Sequence, residues 1–414
     1  TLDPLTIPKY VTPLVIPPVL HDDGGASMAV EVSLRQITQQ VLPAGFPATP
    51  LWAYGDPANP ATFNNPGFTI EVTKDVATTV TWRNELVDAT GAFLPHIIQD
   101  QNGVPIVDQT LHWAAPNQDC LDGIPRTDCR GASAAPYTGP IPMVTHVHGA
   151  HVGPISDGYP EAWWLPDANN IPAGYATTGT FYDTTAPADP GTAVYSYTND
   201  QPTTTLWYHD HSLGMTRLNV YAAGAGFWLI RDALDGETGL LAGVLPGPAP
   251  KAGDSAAALN TLGDPVRSAV REIPIAIQPK SFNADGTQYY PADRAFFEGL
   301  GTGGIFADNT GVNIPFLPQG TSDIAPVWNP EAFFNTMVVN GSTWPVMEVA
   351  PEQYRLRFVN ASDSRFMNLA LRKGSLNSNI ELPFYIIGSE QGLLPQVVRV
   401  ETGFATSLPG DGRD

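Results

Sequence analysis

Proline and glycine set the first limit on what this chain can fold into. Its 414 residues include 41 Pro and 39 Gly. Pro removes an amide donor and fixes φ, and Gly is entropically costly inside a helix, so long helices are disfavoured. Many short strands joined by turns remain, which predicts an all-β fold. Hydrophobic residues make up 43% of the chain, ample for buried cores, and the length calls for two or three domains.

Strand-like runs rich in Val, Thr and aromatics recur at 29–36, 68–73, 78–82, 143–148, 193–198, 204–209 and 224–230. Residues 1–20 are Pro-rich and read as an extended arm over a domain surface. The expected domains are 1–232, a Gly/Ala/Pro-rich linker at 233–271, and 272–414, opening with the strand EIPIAIQ. The segment FTIEVTKDVATTVTWRNE (68–85) is weakly echoed by WPVMEVAPEQYRLRFVNAS (344–362), which points to two sandwiches of one type. A strand begins near Gln396, and stopping soon afterwards would expose an unpaired edge. The second unit is therefore expected to be truncated and the molecule to continue beyond Asp414.

Of eight histidines, half fall in two pairs, His146-Val147-His148 and His209-Asp210-His211. Strand side chains alternate with a period of two, so His-x-His on a strand turns both imidazoles to one face. Two such strands side by side offer four imidazoles, enough for copper or zinc. No carboxylate occupies a ligand position, which argues against a di-iron carboxylate site, and no protease-type zinc motif is present. Gly149 permits close approach or positive φ. Asp157, in the turn Asp157-Gly158-Tyr159-Pro160, is a candidate to orient a ligand or handle protons; the alternative is an ordinary turn residue. Asp210 must point away from its neighbours, as a supporting or solvated residue. Arg217 is expected to hold a strand end, His151 to be a loop histidine, and His21, His96 and His112 to lie at the surface.

The net charge of −21 repels nucleic acid and anionic lipid, so neither is expected as a partner. No run reaches the roughly 18 to 20 apolar residues of a membrane helix. Cys120 and Cys129 lie in a polar loop and read as a small disulfide-closed loop, with free thiols the alternative. A disulfide favours an oxidising, extracytoplasmic setting: secreted, periplasmic or at a spore or cell surface.

HVHGAHVGPISDGYPEAWW together with LWYHDHSLGMTRLNVYAAGAGFWLIRD resembles the N-terminal copper-binding half of a multicopper oxidase, in the bacterial spore-coat laccase and bilirubin oxidase branch. The likeness continues at VVNGSTWPVMEVAPEQYRLRFVNASDSR and IIGSEQGLLPQ. The resemblance implies tandem cupredoxin-like Greek-key β-sandwiches, with a third sandwich absent from this chain. It implies a trinuclear copper cluster between first and third domains, fed by a type 1 copper in the third. By motif position, His146 would bind the type 2 copper, and His148, His209 and His211 the type 3 pair. Asp157 matches an acid near the type 2 copper. The family's third-domain motifs, His-Pro-x-His-x-His and His-Cys-His, have no counterpart here, for no Cys follows Cys129 and no His follows His211. The expected partners are thus a C-terminal fragment or domain of the same oxidase, dioxygen and a small reducing substrate. A non-catalytic copper-binding or assembly protein, and a zinc hydrolase on a β-sandwich, are the alternatives.

Overall fold

Along Thr78–Asn84 every second side chain is buried, as the alternation of its sequence requires of a strand. The computed structural model describes residues 1–185, 188–236, 238–291, 332–374 and 380–400. Its first eleven strands are β1 (Val19–Asp22), β2 (Met28–Gln39), β3 (Thr49–Gly55), β4 (Gly67–Thr73), β5 (Thr78–Asn84), β6 (His112–Ala114), β7 (Asp128–Arg130), β8 (Thr145–His148), β9 (Thr192–Tyr197), β10 (Thr204–Asp210) and β11 (Gly226–Arg231). Two sheets form from them, ordered β1-β4-β11-β10-β8 and β3-β2-β5-β9. Large aromatics fill the space between: Tyr208 meets Tyr54 at 5.1 Å and Trp82 at 5.3 Å between ring centroids, and Trp228 meets Tyr197 at 4.7 Å. All five rings are buried, and such tilted or edge-on pairs add to the stabilisation from area alone. β6 and β7 form a small hairpin, and Cys120 and Cys129 are joined by a disulfide.

The remaining strands are β12 (Glu272–Phe282), β13 (Gln288–Tyr289), β14 (Thr336–Val339), β15 (Ser342–Thr343), β16 (Arg355–Asn360), β17 (Leu371–Arg372), β18 (Glu381–Leu382), β19 (Phe384–Ser389) and β20 (Gly392–Val400). β12 pairs in parallel with β16, as β2 pairs in parallel with β5, so the echo between 68–85 and 344–362 has a structural counterpart in its second half. Its first half does not. Pro345 and Pro351 interrupt the run, and Val346 instead exchanges backbone hydrogen bonds with Thr12 and Leu14 of the N-terminal arm. The architecture is all-β and cupredoxin-like.

Several elements differ from the sequence reading. β1, β3, β6 and β7 were not anticipated. Residues 216–223 form a helix, α1 (Thr216–Ala223), closed by Gly224 at φ +70°, so Arg217 sits on a helix and not at a strand end. The stretch 233–271 carries two short helices, α2 (Ala256–Asn260) and α3 (Pro265–Ala269). Leu259 and Val270 from it pack with Leu14 and Ile16 of the arm against Ile273 and Ile275 of β12. The 401–414 tail lies outside the described residues.

β16 is inverted: Arg355, Arg357 and Val359 are buried while Leu356 and Phe358 are exposed. The buried arginines are matched. Arg355 and Arg357 hydrogen-bond Asp235 and Glu272, and Arg231 of β11 bonds Glu272 and Glu71. Arg357 also donates to Thr205 Oγ1 on β10 at 2.9 Å. Burial pushes the Asp235 carboxyl up, but the hydrogen bonds and charges of the three arginines outweigh it and hold it far below the usual range. A depressed carboxyl contributes stability above its unfolded-chain pKa of about 4, and that stability is lost as pH falls through the folded value. Removing one member strands buried charge, so Glu272→Ala should cost about 3–5 kcal/mol in urea unfolding; a loss under about 1 kcal/mol would remove the network's structural role.

Candidate metal centre

β8 and β10 are antiparallel neighbours, with His146 directly opposite His209, His148 opposite Trp207, and Thr145 opposite Asp210. Opposed residues share a face, so the register sorts side chains cleanly. Thr145, Val147, Leu206, Tyr208 and Asp210 turn into the sandwich and are buried. The histidines and Trp207 turn outward. Centroids of His146, His148, His209 and His211 lie 5.2 to 5.8 Å from their neighbours in the group. The structure therefore brings together all four histidines singled out by the sequence.

Local hydrogen bonds fix which ring nitrogens are free. His146 Nδ1 donates to the Asp157 carbonyl, and His209 Nδ1 to the Asp210 carbonyl at 2.7 Å, leaving each Nε2 as a lone-pair donor. His209 Nε2 accepts a long bond of 3.3 Å from His148 Nδ1, which a metal at that lone pair would replace. Among the described residues, the buried His211 Nδ1 has no hydrogen-bond partner. A buried, unpaired imidazole nitrogen beside three other imidazoles is a donor set suited to copper or another imidazole-binding metal. Among the described residues, no three such donors converge on a single point for one ion. The four can thus hold metal as part of a larger ligand set.

Burial pushes His209 down to about 3 and lowers His148 and His211, with the neighbouring His146 adding to both, which favours in these three the neutral form that a metal ligand needs. Asp157 is placed by a tight turn: Gly158 has φ +75°, and a Cβ there would sit 2.2 Å from the Thr145 carbonyl oxygen. The Asp157 carboxylate lies 3.6 Å from His146 Nδ1. Gly149, at φ +86°, turns the chain immediately after His148.

Asp210 is fully buried, which corrects the solvated alternative. Its carboxylate accepts from Val144 N, Ser212 N, Ser212 Oγ and Asn219 Nδ2, tying the entry of β8 to the exit of β10 and to α1. Burial outweighs these bonds and raises Asp210 to about 6. Asn219 Oδ1 in turn accepts from His96 Nε2, while His96 Nδ1 accepts from Ile98 N. His96 is therefore buried, not at the surface, because both ring nitrogens are satisfied and its ring packs 4.7 Å from that of Trp52. His21 is half-buried, and desolvation lowers its pKa. His112 is exposed, and His151 is an exposed loop residue paired with Asp200 at 3.2 Å.

Sequence reasoning missed two neighbours of the cluster. Trp207 stacks on His148, and its contact follows from cross-strand register, which no single strand reveals. Glu390, at the β19–β20 tip, is brought near when Thr204 Oγ1 donates to its carbonyl at 2.8 Å; its charge acts on His148.

A multicopper oxidase family model matches residues 172–235, which include the second histidine pair. The chain is 29% identical over 400 residues to a laccase of Bacillus subtilis, covering 96% of this chain and 57% of that protein. It is 30% identical over 355 residues to multicopper oxidase LPR1 homolog 1 of Oryza sativa, covering 85% of this chain and 42% of the relative. Among solved structures, a laccase from Pediococcus acidilactici aligns over 95% of this chain and 54% of that one, with a TM-score of 0.53 at 20% identity, which bears on fold alone. Over most of its length the chain is thus similar to multicopper oxidases. Within that family its similarity includes laccases, and it spans about half the length of the curated relatives it matches.

Two outcomes test the site's construction. Asp210→Ala leaves four buried donors without their acceptor, and should lower the unfolding free energy by at least about 2 kcal/mol. For His209, a folded pKa near 3 means stability that is present above about 6.5 and lost as pH falls toward the folded value. Between those values His209 contributes a slope of up to about 1.4 kcal/mol per pH unit, which His209→Gln should remove. The comparison is made between the two metal-free chains, so the opposite contribution of Asp210, lost as pH rises through about 6, cancels.

Proposed function

We propose that this chain is the N-terminal, two-sandwich part of a laccase-like multicopper oxidase, with His146, His148, His209 and His211 as copper ligands. The observation that carries the reading is the group of four neighbouring imidazoles, one with a buried nitrogen left unpaired among the described residues. Copper, when bound, supplies the one-electron redox chemistry that links oxidation of a reducing substrate to four-electron reduction of dioxygen to water. The chain's residues hold and orient its site. Asp157 fixes the His146 ring through its carbonyl and holds a carboxylate near the same nitrogen, where it handles protons. The apolar packing around Trp207 excludes water from one flank. The remaining trinuclear ligands and the type 1 copper come from a C-terminal domain or fragment of the same oxidase, and activity depends on its docking.

The reducing substrate is a phenol, a bilirubin-type tetrapyrrole or a metal ion; the scattered methionines favour a cuprous substrate least. The Cys120–Cys129 disulfide supports an extracytoplasmic setting. The competing reading, a non-catalytic copper-binding or assembly protein, gains from the lack of three donors converging on one point among the described residues.

The discriminating experiment assays the complete encoded protein, loaded with copper, for oxygen uptake with a phenolic substrate. Four one-electron oxidations per dioxygen without hydrogen peroxide are expected, with near-complete loss in His209→Ala. Copper binding with no oxygen uptake on phenolic, tetrapyrrole or metal-ion substrates would favour the non-catalytic reading.

A further inference from the structure

The indole of Trp207 lies against two of the four imidazoles at once. It stacks on His148 across the strand pair, with centroids 4.9 Å apart and planes 20° apart, and meets His209 on its own strand at 4.3 Å and 30°. Its other contacts are apolar, in a cluster joining Phe227 of β11 with Ala276 and Val359 of the second unit. His148 is exposed, and beside a long 3.3 Å hydrogen bond to His209 Nε2, stacking on the indole restrains its ring from changing rotamer. His209 lacks that freedom, being buried and bonded to the Asp210 carbonyl.

We propose that Trp207 is a positioning residue: its ring holds His148 against His209 before any metal arrives, and transmits the packing of the second unit to the ligand set. Stacking on an indole removes rotamers that point the His148 ring away from the cluster, so less order has to be imposed on binding. The second unit keeps the indole in place, because Val359 and Ala276 close the apolar pocket behind it. The role of the four histidines as ligands rests on the function proposed above; the stacking does not.

Two readouts test this on the full chain, with urea unfolding measured alongside. In the metal-free protein, the His148 ring protons should be shifted upfield by the indole ring current. That shift should vanish in Trp207→Leu and persist in part in Trp207→Phe. In the copper-loaded protein, Trp207→Leu should weaken Cu(II) affinity about tenfold and change the copper absorption spectrum, with Trp207→Phe within about twofold of the unsubstituted chain. An unshifted His148 in the unsubstituted protein overturns the proposal, even if Trp207→Leu fails to fold. So does a folded Trp207→Leu variant with unchanged affinity and spectrum. A complete encoded protein that binds no copper but shows the shifted His148 refutes the ligand assignment and leaves the stacking intact.

Discussion

The register between β8 and β10 is the constraint on which the site depends. Pairing His146 with His209 puts one side of both strands into an aromatic core and leaves the other side bearing imidazoles, an indole and Thr205. A slip of one residue would bury the histidines and expose Val147 and Tyr208. The buried carboxylate of Asp210 pins this register, since its acceptors reach Val144 before the first pair and Ser212 after the second. The most polar buried group in the strand pair therefore serves the most exposed face of it.

The same outward face is shared with the second unit. Phe227 and Trp207 meet Ala276 and Val359, while Thr205 and Thr204 bond Arg357 and the β19–β20 tip. β10 thus carries His209 at one end and anchors the second unit at the other. The ionic network around Asp235 and Glu272 explains why β16 carries its arginines inward: the strand is built to meet a neighbouring sheet, not a hydrophobic core of its own. Such a network adds geometric definition where apolar packing would tolerate sliding, and its charges are fully paired.

Much of this was legible in the residues. Runs of strand-favouring residues located β2, β4, β5, β9 and β10 to within a few residues, the small apolar run at 224–230 located β11, and period-two alternation predicted four imidazoles on one face. What stayed hidden was set by contacts distant in sequence. His96 carries no local mark of burial, because its partner Asn219 lies 123 residues away on a helix. That helix was itself obscured: in MTRLNVYAAG the Thr, Val and Tyr suit a strand, and tertiary packing of Leu218, Tyr221 and Ala222 decides otherwise. Nothing local sets Trp207 apart from other strand aromatics, because its partner His148 lies across the ladder. The echo at 344–362 foretold a parallel strand but not the fate of its Pro-flanked first half.

The central claim is that metal sits among His146, His148, His209 and His211 on the open face of this sheet. Anomalous diffraction at the copper edge, from crystals of the copper-loaded protein, addresses it most directly. The account predicts copper peaks within bonding distance of these ring nitrogens, with His146 Nε2 and His209 Nε2 among the donors. Copper peaks placed only elsewhere, with the four imidazoles uncoordinated, would contradict it.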